Sequence, residues 1–135
     1  MKLKTLLVLN AVIAVLFGIA YELAPASIVS FFGDVTPNPG EVLLARLFGA
    51  LLIGIGLLLW FLRNVRDSET QRALTLSMLV CHGIGVVVTI HATVTAVMPP
   101  IGWASVAVFG LLTLGYAYFE FVKPSSPSQQ SQGGT

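Results

Sequence analysis

Apolar residues fall along this chain in four long runs, near Leu3–Tyr21, Leu43–Leu62, Leu74–Val97 and Trp103–Val122, divided by short polar or turn-rich stretches. Each run reaches the roughly 20 residues that an α-helix needs to cross a hydrocarbon core about 30 Å thick. In that solvent every backbone amide must be satisfied within its own segment, which a helix achieves and an open strand does not. The pattern predicts an all-α membrane protein of four transmembrane helices. Between the first and second spans, Pro25 to Gly33 is apolar through Ile28, Val29, Phe31 and Phe32, yet far too short to span. Pro at its start and Gly at its end are helix punctuation, so the segment reads as a short interfacial helix. Asp34 to Gly40, with Pro37 and Pro39, reads as a turn-rich loop. The short polar link Asn64 to Arg72 predicts that the second and third spans are antiparallel neighbours. Pro99-Pro100 is expected to end the third helix and turn the chain into the fourth. Residues 124–135 carry no charge and no apolar side chain, so they cannot bury anything and are expected to be disordered. The domain reading is a four-helix transmembrane domain over 1–123 and a disordered cytoplasmic tail over 124–135.

Charge distribution orients the spans. Lys2 and Lys4 precede the first span, Arg63, Arg66 and Arg72 lie in the second loop, and Lys123 follows the fourth span. The first loop holds Glu22, Asp34 and Glu41 with no base, and the third turn, Met98 to Gly102, is uncharged. Counting Lys and Arg near the span ends places both termini and the second loop in the cytoplasm, in the plasma (inner) membrane of a prokaryotic cell. Tyr21, Trp60, Trp103 and Tyr118 sit where interfacial aromatic belts are expected. Hydrophobic residues make up 56% of the 135 residues and charged ones 10%, against about 25% charged in a soluble domain, which leaves no room for a separate soluble unit. Lys-rich Met1–Lys4 followed by an apolar stretch also suits a signal peptide, but Asn10 in mid-run and the length of the run favour a retained helix. A net charge of +1 argues against nucleic acid as a partner and against a polybasic lipid-binding surface.

In lipid, helices associate through close packing, so small residues mark the faces that meet. Such stripes are Asn10, Ala14, Gly18 and Glu22 at successive i,i+4 positions in the first span, and Ala45 with Gly49 and Ala50 with Gly54 in the second. The third has Ser77, Cys81, Gly85, Thr89 and Thr93, and the fourth Ala107, Gly110, Leu114 and Ala117. Polar groups inside the spans are the candidates for chemistry. Arg46 sits about one turn inside the outer end of its span, where a charge faces a partner, a cavity or the lipid headgroups. Glu22 and His91 lie at similar depth, and Glu41 is a further partner, so Arg46, Glu22, His91 and Glu41 are candidate residues of an outward-facing ligand pocket. A second polar cluster, Asn10, His82 and Tyr116, gathers toward the cytoplasmic side and reads as interhelical hydrogen bonding. Glu120 is expected to be solvated beside Lys123.

Catalytic and metal signatures are missing from the sequence. His82 and His91 are nine residues apart, about 900° of helix, so they point to opposite faces and one ion cannot take both. The single cysteine, Cys81, has no thiol partner and points about 100° from its neighbour His82, so the two do not form a nucleophile–base pair. No metal site and no catalytic residue is expected; quinone and haem remain minor alternatives as cofactors.

The stretch Tyr21-Glu22-Leu23-Ala24-Pro25, the apolar Ser27 to Gly33, then Leu43-Leu44-Ala45-Arg46-Leu47-Phe48-Gly49-Ala50 resembles small four-helix prokaryotic membrane proteins of the DoxX-like group and related families of unknown function. The resemblance covers about residues 1–65 and includes Arg46 followed by Gly49. It implies quinone-linked oxidation of sulfur compounds, although this chain shows no residues that would carry that chemistry. The sequence as a whole reads as a small integral membrane protein without catalytic activity of its own. Its expected role is that of an accessory or interaction subunit of a membrane complex, in contact with the lipid bilayer and with a membrane-protein partner or further copies of itself. The alternative is a binder or carrier of an apolar or anionic small molecule, a lipid or a quinone, at Arg46.

Overall fold

A computed structural model of the protein describes residues 2–33 and 36–122. The tail over 124–135, Lys123, and Asp34 with Val35 in the first loop lie outside the described residues. The described chain is mostly helical and has no strand: α1 (Leu3–Leu23), α2 (Pro25–Gly33), α3 (Pro39–Leu62), α4 (Ser68–Val94) and α5 (Gly102–Ala117), closing on a π-helical turn, Tyr118–Val122. Four of these stretches are long and apolar enough to cross a membrane, with α5 and the π-turn acting as one span. The nine-residue α2 is the short helix between the first two spans.

Local chemistry sets the boundaries. Ala24 leaves the helical region ahead of Pro25, as a residue before proline tends to, and this separates α1 from α2. Asn38 and Glu41 form a capping box at the start of α3: Asn38 Oδ1 accepts from Glu41 N at 3.0 Å, and Asn38 N donates to Glu41 Oε2 at 2.8 Å. Asp67 caps α4 by accepting from Thr70 N at 2.7 Å. The other end of α4 corrects the sequence reading. The helix stops at Val94, before Pro99 is reached, and Ala96 adopts a left-handed φ of 57°. The turn is held by Thr95 N bonding His91 O at 3.0 Å and Met98 N bonding Ala92 O at 2.9 Å.

The spans pack as two pairs, α1 with α3 and α4 with α5. The α1–α3 seam is a backbone-to-backbone contact. A Cβ at Gly18 would lie 2.8 Å from Gly49 O, and one at Gly49 would lie 2.9 Å from Gly18 O. Further along, a Cβ at Gly56 would lie 2.9 Å from Ala11 O, so the two helices run antiparallel. In α4 and α5, Gly85 seats the ring of Phe109, and Gly102 lies against Thr93. The short second loop therefore does not make α3 and α4 close-packed neighbours. They meet chiefly through side chains near the loop, where Leu59, Leu62 and Leu74 join one apolar cluster. A loop fixes which ends are adjacent; glycines fix which backbones can touch.

The buried cluster that joins the two pairs is Leu6, Leu7, Ala11, Leu59, Leu74, Met78, Leu112, Tyr116 and Phe119. All of it lies toward the end of the bundle that carries Lys2, Lys4, Arg63 and Arg66, here called the basic end. Of the buried residues in the other half, Gly18, Gly49 and Gly102 belong to contacts within a pair.

Candidate functional site

Asn10, His82 and Tyr116 come together between the pairs. Asn10 follows Leu6 on the same face of α1, Tyr116 ends the buried face of α5, and His82 follows Met78 by one turn of α4. The three are among the most enclosed polar groups of the chain, Asn10 being 3% exposed, His82 6% and Tyr116 0%. Asn10 Nδ2 donates to Tyr116 Oη at 2.8 Å, and Met78 Sδ lies 4.0 Å from the same nitrogen. His82 stacks on Tyr116 with ring centroids 5.5 Å apart and planes 28° apart, and the Phe109 ring lies tilted to it at 5.9 Å. His82 Nδ1 is 2.7 Å from Met78 O. A carbonyl only accepts, so the neutral ring carries its proton on Nδ1 and keeps a lone pair on Nε2. No enclosed side-chain nitrogen or oxygen among the described residues lacks a partner. Only Asn10 and Tyr116 bond across helices; His82, expected to do the same, bonds a carbonyl of its own helix and meets Tyr116 by stacking. The arrangement contains neither a nucleophile–base pair nor, among the described residues, a group of three metal ligands.

The Arg46 set is distributed differently. Ala45 and Gly49 face the seam, while Arg46 between them is exposed. Seven residues into α3, it stands roughly 10 Å from that helix's start. Glu22 is half-buried in the last turn of α1, and its backbone N would lie 3.3 Å from a Cβ at Gly49. Glu41 is exposed and committed to the capping box. His91 is exposed in the last turn of α4. The structure records no side-chain contact among these four.

Glu120 departs from the expectation of a solvated group. Its side chain is only 9% exposed, and Oε1 lies 3.1 Å from Arg72 Nε. The π-turn accounts for this by widening the last turn, burying Phe119 in the core while Glu120 faces the start of α4. Sequence reasoning missed the pair because the two residues are 48 positions apart and a π-turn leaves no readable signature. Cys81 and Ser77 are exposed, so the lower half of the α4 small-residue stripe faces outward and not into the bundle.

Four apolar spans around an enclosed polar cluster define a polytopic α-helical membrane protein. The chain belongs to the family described as Domain of unknown function (DUF8292), which it matches over residues 8–131. No curated protein and no solved structure matches it.

Proposed function

We propose that this protein acts by association within the membrane and not by catalysis, as an accessory subunit of a larger complex or as a homo-oligomer. The observation that carries this reading is the outward face of α3. Gly18, Gly49 and Gly56 are filled by neighbouring backbone and side chains, but a Cβ at Gly54 would meet nothing within 4 Å. Ala50, one turn earlier, is also exposed. Ala50 and Gly54 form a small-xxx-small pair, the pattern that lets a second helix approach closely in lipid. Gly83 and Gly110 leave similar open space on α4 and α5. The satisfied Asn10–Tyr116–His82 cluster supports the same reading, since it acts as an internal tie.

The distribution of Lys and Arg supports a plasma-membrane orientation with both termini in the cytoplasm. The rival reading, an anion or quinone pocket at Arg46, has less support: Arg46 is exposed, and Glu41 is held in its own cap. The Arg46–Gly49 spacing shared with DoxX-like proteins has a packing explanation on the Gly49 side.

The test compares Gly54→Leu with wild type in mild detergent by light scattering and native gel. Filling the open face is expected to reduce the assembled mass, or to release co-purifying subunits, while leaving helicity and melting unchanged. An assembly that keeps its size and composition in Gly54→Leu, Gly83→Leu and Gly110→Leu would remove the basis for the proposal.

A further inference from the structure

Two hollows lie along the α1–α3 seam toward the basic end, and neither belongs to the polar cluster. The first, about 320 Å³, is lined by Lys4 and Leu7 of α1, Arg63, Asn64 and Arg66 after α3, and Gln71 of α4. Three bases face it and no acid does. The acids nearby are otherwise committed or turned away: Asp67 caps α4, Glu120 holds Arg72, and Glu69 is exposed on the first turn of α4. The second hollow, about 270 Å³, begins a turn deeper and is apolar, walled by Ala11, Val12, Val15, Gly56, Leu57 and Trp60. No described residue lines both; what links them is a contact between Trp60, of the apolar hollow, and Arg63, of the basic one. The Arg63 guanidinium carbon lies 4.1 Å from the centre of the Trp60 ring, and its Nη1 donates to Trp60 O. This contact holds Arg63 at the mouth of the basic hollow, with Trp60 as the first wall of the apolar one.

A basic hollow linked to an apolar groove through one Arg–Trp contact matches an anionic amphiphile. We propose that this seam is a specific site for one anionic phospholipid. The phosphate would sit among Lys4, Arg63 and Arg66, with a glycerol or second headgroup hydroxyl on Asn64. One acyl chain would follow the groove past Trp60, Leu57 and Val12. The chemistry recognised is that of a phosphodiester monoanion. The groove assigns it to a lipid and not to a soluble phosphate, because a free anion would have no use for apolar walls a turn deeper. The net charge of +1 argued against a polybasic lipid-binding surface, but the site revises that expectation, since recognition depends on the local excess of Lys and Arg at the membrane surface and not on the sum over the chain. The site is independent of the association proposed for the Ala50–Gly54 face.

The test is native mass spectrometry of purified protein in detergent, titrated with phosphatidylglycerol and with phosphatidylcholine of identical acyl chains. Wild type is expected to retain phosphatidylglycerol at least tenfold better. Neutralising bases should cost about fivefold for each charge removed, so Lys4→Gln with Arg66→Gln should abolish most of the preference. Both residues are exposed, so folding is not at stake, and Arg63 stays on Trp60. Arg46→Gln, a base off the seam, should change nothing. Val12→Trp, which fills the groove from an exposed position, should weaken phosphatidylglycerol with the bases intact. Equal retention of the two lipids by wild type would overturn the site. So would a loss in Arg46→Gln matching that in the double variant, which would mean general surface attraction. Competition by millimolar glycerol phosphate as effective as that by the lipid, with Val12→Trp silent, would reassign the hollow to a soluble phosphate ester and overturn the lipid assignment.

Discussion

An amide in the middle of a membrane span has no water to turn to, and Asn10 solves this by donating to Tyr116 on another helix pair. Removing either partner leaves a polar group enclosed without its bond. Tyr116→Phe is expected to destabilise the fold by about 1 kcal/mol, read from reversible unfolding in mixed micelles. Asn10→Ala should cost a similar amount, and the double variant should cost less than the sum, because both remove one interaction. A left-handed alanine tests the opposite sign. Ala96, at φ 57°, carries a Cβ in a region that glycine enters freely. Ala96→Gly is expected to raise stability by up to about 1 kcal/mol in the same assay.

The elements respond at their ends and along their seams. The Thr70 hydroxyl, and after it the Thr70 backbone N–H, hold the Asp67 carboxyl below its ordinary 3.8. Because the folded value lies below the unfolded one, the charged cap stabilises α4 above pH 3.8, and that contribution is lost as pH falls through the lowered folded value. Amide exchange at Thr70 and Gln71 should therefore accelerate in acid beyond its intrinsic rate. Asp67→Asn, which still caps but does not titrate, should remove that acid step. Along the seam, Gly49→Leu must separate α1 from α3 and is expected to cost about 1–3 kcal/mol, whereas Gly54→Leu on the outward face of the same helix should cost far less. The spans and α2 were legible in the sequence because apolar runs and Pro–Gly punctuation act within a single element. The end of α4 was not, since an alanine in a left-handed turn resembles any other alanine in a sequence. Ala45–Gly49 and Ala50–Gly54 read identically as stripes; only the helix's rotation sends one inward and the other out.

At the scale of the molecule, which helices pair was hidden for a similar reason. Loop length suggested α3 beside α4, but the reciprocal contact of Gly18 and Gly49 commits α3 to α1. Asn10, His82 and Tyr116 were identifiable as a group because polar residues at matched depth have few alternatives in lipid. Their partner bonds, and the pairing of Arg72 with Glu120, needed coordinates. With the joining cluster confined to the basic end, the two pairs should be held tightly there and loosely at the other end. Spin labels between α1 and α4, introduced after Cys81→Ser, should give a narrow distance distribution at Leu9 with Val80 and a broader one at Ile19 with Val88. Equal widths would mean that the far halves are also fixed.

The pairing of successive spans also bears on how the protein is made. The α1–α3 seam is complete by Leu62, so it needs nothing that the ribosome adds afterwards. The first half can close in the bilayer while α4 is still in the exit tunnel. The second pair can then form on its own Gly85 and Gly102 contacts and dock last, through Leu6, Asn10 and Tyr116. Biogenesis would then be two insertions of a helical hairpin followed by one docking step. Two separately translated halves, divided in the loop after Arg66, are expected to reassemble in one membrane.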